Sequence, residues 1–141
     1  MALTWEWLGG FFDGEGTVGA SLTGWTGRYP AVWVSLPNTH LDIIEEIHTF
    51  VGVGRLQGHD SGNPKHKPTL TWSIVGMVAA IPFLEQIIPH LRMKRRQAEL
   101  ALEFCRMVEA RGPSKGMSDE ERAARTALVE EIRRLNKKGR D

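Results

Sequence analysis

Trp7-Leu8-Gly9-Gly10-Phe11-Phe12-Asp13-Gly14-Glu15-Gly16 is the stretch whose reading decides the fold of this 141-residue chain. Thr4 is placed to cap a helix over 5–12, with Glu6 in its first turn, where a carboxylate favours the helix dipole. Trp5, Trp7, Leu8, Phe11 and Phe12 make that helix apolar nearly all round. Such a helix expects burial, and a partner helix is the natural remedy in so small a domain. Gly9 and Gly10 permit close approach of another backbone, as small residues do at helix interfaces. Gly14 and Gly16 release the chain from the ban on positive φ, so the segment is expected to stop and turn there. Asp13 and Glu15 are left at the turn, where carboxylate oxygens suit a hard cation.

Working outward, residues 17–22 alternate as a strand, with Val18, Ala20 and Leu22 on one side and Gly19, Ser21 and Thr23 on the other. Residues 24–28 read as a hairpin loop and 29–35 as the returning strand, Pro30 marking its start or an edge. Thr39 with Asp42 forms a weak capping box for a helix carrying Leu41, Ile44, Ile47 and Val51, ended by Gly52 and Gly54. A third strand over 55–58, a loop over 60–67 and a fourth strand over 68–75 follow. In the fourth, Leu70, Trp72 and Ile74 alternate with the small hydroxyls Thr69, Thr71 and Ser73. Helices are expected over 77–91, with Pro82 in the first turn, then over 93–109 and 119–136. The last opens with a capping box, Ser118 and Glu121, and carries an i,i+4 pair, Glu130 with Arg134. The helix–strand–strand unit thus occurs twice, which predicts an α+β fold with one antiparallel or mixed four-stranded sheet and extra C-terminal helices. The chain reads as one domain, residues 1–141, with a core at about 3–110 and a C-terminal helix at about 118–136.

Composition sets outer limits. With 41% hydrophobic and 25% charged residues the chain is ordinary for a globular protein, and no apolar run reaches the roughly 20 residues of a membrane span. No secretory signal is evident, and the single cysteine, Cys105, fits a reducing compartment and helical core spacing. An intracellular location is expected, a prokaryotic cytoplasm or phage-infected cell rather than an organelle. His40, His48 and His90 read as structural residues. A net charge of +1 excludes a uniformly basic nucleic-acid binder, yet Arg92, Lys94, Arg95 and Arg96 cluster, and a second basic group closes the chain. Each cluster suits either a solvated face or a phosphate contact.

The segment Leu8–Gly16 resembles, position for position, the nine-residue signature of the LAGLIDADG homing endonucleases. The expected element order resembles that family's αββαββα core, and so do the stretches 38–54, 91–98 and 135–137. With the signature present once, the resemblance implies a homodimer joined through the motif helix, with Leu8, Gly9, Gly10, Phe12 and Asp13 at the interface. It implies a site-specific enzyme that makes double-strand breaks in DNA at a long pseudo-palindromic target, leaving short 3′ overhangs, and it implies intron or intein mobility. Without splicing-domain flanks, a free-standing or intron-encoded enzyme is favoured. A LAGLIDADG-like DNA-binding protein or RNA maturase without cleavage is the alternative.

By the same resemblance Glu15 is the catalytic ligand for Mg²⁺, with Ca²⁺ or Mn²⁺ as substitutes. Two such carboxylates, one per subunit, would hold metals about 3.5–4 Å apart. Asp13 is expected to bond backbone amides, a metal role being the lesser alternative. Lys94 matches the family's basic residue near the scissile phosphates, where an ammonium stabilises developing charge. Arg92, Arg95 and Arg96 are assigned to backbone phosphates. A saddle-shaped sheet in the major groove would read bases with every second residue. These are Gly19, Ser21 and Thr23, then Trp33, then Arg55, Gln57 and His59, then Thr69, Thr71 and Ser73. Arg55 and Gln57 suit bidentate contacts to guanine and adenine. Lys65, His66, Lys67 and Arg28 would reach flanking bases or phosphates. Leu36 departs from the family, which often has a polar residue near there to organise water, and this puts the speed of the reaction in question.

Overall fold

A computed structural model describes residues 2–23, 29–111 and 118–137. The order is α1 (Trp5–Glu15), β1 (Thr17–Thr23), β2 (Tyr29–Asn38), α2 (Leu41–Val51), β3 (Arg55–His59), β4 (Thr69–Val75), α3 (Met77–Ile87), a 3₁₀ turn (Ile88–His90), α4 (Arg95–Arg111) and α5 (Asp119–Asn136). The expected hairpin loop at 24–28, including Arg28, lies outside the described residues. The α+β class and the helix–strand–strand repetition are as the sequence implies. The sheet is antiparallel throughout, in the order β1-β2-β4-β3. No helix among the described residues is long and apolar enough to cross a membrane.

Alternation decides which face of the sheet is covered. Val18, Ala20, Val32, Val34, Leu36, Trp72 and Ile74 are buried together with Leu8, Phe12, Phe83, Leu84, Phe104 and Cys105 of the helices. Phe83 sits at the aromatic centre, its ring centroid 5.2 Å from Trp72, 5.8 Å from Phe12 and 6.0 Å from Trp5. These tilted pairs fix the angle at which α1 and α3 meet the sheet. Burial pushes the Cys105 thiol up to about 11, with Glu109 adding to it, as expected of a core cysteine.

Several boundaries differ from expectation for identifiable reasons. Thr4 caps α1 as foreseen, its hydroxyl accepting from Trp7 N at 3.1 Å. The helix then runs through Asp13 and Gly14 to Glu15 instead of stopping at Phe12. Gly16 ends it with φ −87°, so conformational freedom is not its purpose. A Cβ there would lie 2.5 Å from the Phe12 ring, and glycine is what lets the turn close over that ring. His40, not Thr39, caps α2, its Nδ1 accepting from Ile43 N at 3.2 Å. Pro82 falls in the second turn of α3, and the helix gives way to the 3₁₀ turn before Leu91. Arg134 pairs with Glu131, 2.5 Å away, and not with Glu130. The Arg134 hydrogen bond is the main reason the Glu131 carboxyl lies below its usual range.

Gly9 shows what the adjacent glycines do. A Cβ on Gly9 would stand 2.5 Å from both the Cβ and the carbonyl oxygen of His90, whereas one on Gly10 meets nothing within 4 Å. The close approach prepared by Gly9 is therefore to the chain's own 3₁₀ turn. Gly9→Ala is expected to destabilise the fold by about 1–3 kcal/mol through overpacking. Gly10→Ala, in open space, is expected to stabilise the isolated chain by up to about 1 kcal/mol through helix propensity. Urea unfolding of the two variants checks the pair.

Candidate functional site

The strand registers assemble a continuous face opposite the core. Thr17 lies opposite Ser35, Ser35 opposite Ser73, and Ser73 opposite Arg55, forming one row across all four strands. Pro37, Thr71 and Gln57 form the next row toward β3, followed by Thr69 with His59. Toward the other end, Gly19, Trp33 and Val75 form a row, followed by Ser21 with Ala31 and Thr23 with Tyr29. Ser21, Trp33, Thr69, Thr71 and Ser73 are half-buried, while Arg55, Gln57 and His59 are exposed. By register, the sheet positions anticipated from alternation in β1 and from the resemblance in the other strands fall in these rows.

Leu36 does not belong to it. It is fully buried in the core, and Ser35 and Pro37 are its neighbours on the open face. By this parity Leu36 faces the core and not the open face, where Ser35 supplies a hydroxyl in that strand.

Glu15 ends α1 two residues before the row that begins at Thr17. Its carboxylate is exposed and makes no hydrogen bond or ion pair to another described residue. Asp13 contrasts with it. Only 7% exposed, it accepts from Arg92 N at 2.7 Å and from Lys94 N at 3.0 Å. Two charge-assisted bonds to backbone amides account for all the visible chemistry of this side chain, and it has the structural part expected of it. The Lys94 ammonium donates to the Asp13 carbonyl at 2.7 Å, so α1 and the start of α4 are joined three times at one point. Lys94 is thereby held within two residues of Glu15. Asp13, Gly14, Thr17, Lys94, Gln97 and Asn136 are among the residues lining a cleft of about 500 Å³ beside this joint.

Gln97 and Asn136 were not singled out from the sequence for any role. Asn136 donates to the Val18 carbonyl at 2.8 Å and lies 3.5 Å from the Gln97 amide, pinning the end of α5 to β1 beside the cleft. Their signal was the 91–98 and 135–137 stretches, read there only as resemblance.

The basic residues divide. Arg92 and Arg95 line a second cleft with Glu6, Gly10 and Pro89, on the α1 side. Arg96 lies near enough to Glu131 to contribute to lowering its carboxyl pKa, on the α5 side. Lys65 and Lys67 are exposed in a loop ordered by its own side chains, with Asp60, Ser61 and Asn63 accepting from backbone amides.

The expected interface residues also divide. Leu8 and Phe12 are fully buried inside this chain, Asp13 bonds within it, and Gly9 packs on His90. That side of α1 is occupied within this chain. The open side carries Trp7, Gly10, Phe11 and Gly14, with Trp7 stacked on Phe11 at 5.0 Å and free space over both glycines.

No protein-family profile and no curated protein matches the sequence. Solved structures do match the fold. The homing endonuclease I-CvuI, in complex with its target, superposes with TM-score 0.76 at 21% identity, over 97% of this chain and 85% of its own. The archaeal intron-encoded homing endonuclease I-Vdi141I, complexed with DNA, gives 0.75 at 20%, over 96% and 86%. The LAGLIDADG homing endonuclease I-GzeII, in complex with a DNA target, gives 0.73 at 17%, over 92% of this chain but 44% of its own. The fold is that of the LAGLIDADG homing endonucleases. The stretch Leu8–Gly16 forms most of α1 and its C-cap, so the joint of Asp13 with Arg92 and Lys94 sits at the last turn of that helix, two residues before Glu15.

Proposed function

We propose that this chain is a site-specific DNA endonuclease that acts as a homodimer and uses a divalent cation, Mg²⁺ by preference. The single observation that carries the reading is the continuity of the open sheet face with Glu15. A donor-rich surface able to lie along a major groove begins at Thr17, two residues after the exposed Glu15, and Lys94 donates to the Asp13 carbonyl in the same helical turn. The matching solved structures that contain DNA support the same class of substrate.

The donor chemistry fits a hard cation. Among the described residues no group of three or more His, Cys, Asp or Glu side chains could hold a metal unaided. Mg²⁺ is commonly bound by one or two carboxylates with phosphate oxygens and waters completing the octahedron, and Glu15 with a DNA backbone offers that set. A cation there supplies Lewis-acid polarisation of the phosphoryl oxygen and an activated water. Glu15 would hold it, Lys94 would stabilise negative charge developing on the scissile phosphate, and Asp13 bonds the segment carrying Lys94 to the last turn of α1. Arg55 and Gln57 would contact base edges, while Arg92, Arg95, Lys65 and Lys67 would engage phosphates.

The second copy would dock on Trp7, Gly10, Phe11 and Gly14, the stripe of α1 that this chain leaves open. Positions 7, 10, 11 and 14 lie on one helical face, and the two glycines allow close backbone approach there. Chain lengths support pairing, since the fold occupies 85% of I-CvuI but 44% of I-GzeII, which leaves room in the latter for a second copy.

Incubation with a randomised duplex library tests the proposal, with end-sequencing in Mg²⁺ and recovery of bound duplex in Ca²⁺. Enrichment of one pseudo-palindromic site with cuts on both strands is expected in Mg²⁺. Bound but uncut DNA under both ions would replace the enzyme by a binding protein, and no bound DNA would end both readings. A monomeric mass in size-exclusion chromatography with DNA present would overturn the dimer.

A further inference from the structure

One row of the open face differs from its neighbours. Gly19, Trp33 and Val75 lie side by side across β1, β2 and β4, with Ala31 diagonal to Gly19 and Val75 62% exposed. A Cβ on Gly19 would stand 2.2 Å from Trp33 Cε2 and 2.3 Å from Cζ2, so the indole lies directly over the glycine backbone. The row presents an indole ring and a valine, where the row beginning at Thr17 presents hydroxyls and a guanidinium and the row beyond presents the Ser21 hydroxyl beside Ala31. A lone exposed valine would need no explanation. Three adjoining strands contributing to one apolar strip, on the face otherwise equipped for hydrogen bonding, does.

Resting on the DNA-cleaving reading above, we infer that this strip reads the C5-methyl group of thymine. In the major groove that methyl is the one apolar feature a base pair presents, and apolar side chains are what recognise it. The strip carries no competing charge, and its residues follow the row beginning at Thr17, roughly 7 Å farther along each strand. The thymine therefore belongs to the inner part of each half-site. Gly19 sets the depth of the indole, and any larger residue there would displace it.

The test uses the target recovered from the randomised library, with each thymine replaced in turn by deoxyuridine, which lacks only the methyl. Binding in Ca²⁺ is measured for the wild type, W33Q and W33L. One or two inner positions are expected to lose about threefold to fivefold affinity on loss of the methyl, as burial of one carbon predicts. That loss should vanish in W33Q and persist in W33L, while deoxyuridine at other positions is neutral for all three. Indifference of every inner thymine, or a penalty equal in wild type and W33Q, overturns the inference but leaves the endonuclease reading intact. Failure to recover any target overturns both. Circular dichroism establishes that each variant is folded, and W33L supplies the comparison should W33Q be damaged.

Discussion

Glu15→Gln is expected to lower DNA cleavage at least about 10³-fold while leaving affinity for the target in Ca²⁺ within a few-fold. A neutral amide keeps the shape of the side chain but is a poor ligand for a hard cation. Metal-assisted charge stabilisation is worth several kcal/mol, and each 1.36 kcal/mol is about tenfold in rate, which sets the size of the effect. The carboxylate is exposed and unengaged with other described residues, so the variant should unfold at the wild-type denaturant concentration. Single-turnover cleavage beside a binding isotherm makes the measurement. A variant that cuts at the wild-type rate would move the chemistry elsewhere in the molecule.

Asp13→Ala should be the most destabilising single change near the site, at about 3–5 kcal/mol. It leaves the amides of Arg92 and Lys94 without an acceptor in a place only 7% exposed. Each orphaned buried donor costs about 1–3 kcal/mol, and two are left. Asp13→Asn retains one acceptor oxygen and should fall between. Urea unfolding with an unchanged m-value reads the loss as stability. Where the alanine variant is still folded, cleavage should also drop about 10²-fold, because the backbone carrying Lys94 loses its two ties to α1 and small misplacements are costly. Full stability in Asp13→Ala would show that these bonds contribute nothing net.

The face of the sheet was legible because strand alternation is a local property with period two. Once Glu15 and Thr17 set the phase, Gly19 and Ser21 followed along β1, while the phase of Trp33, Gln57 and Thr71 in the other strands came from the family resemblance. The position of Leu36 shows how strict that phase is, since a one-residue difference takes a side chain from the groove into the core. The end of α1 was not legible. Two glycines near an acidic residue signal a stop by propensity, and the Asp13 bonds that hold the last turn come from residues 79 and 81 positions away. The orientation of α1 was hidden for a related reason. A helix apolar on every side gives no preferred face, and only the nearness of His90 to Gly9 decides which side turns inward. Asn136 needed the same long-range information, its partner Val18 lying 118 residues away.

The strict division of three strands between covered and open positions has an evolutionary corollary. In β1, β2 and β4 the side chains buried in the core carry even numbers and the open face carries odd ones, while all five positions of β3 are exposed, so substitutions on the open face fall on positions the interior does not use. A lineage altering what that face contacts could substitute them piecemeal, each intermediate still folding. Gly19 is the exception, an open-side position locked by the aromatic ring above it, and it marks where such drift would stall.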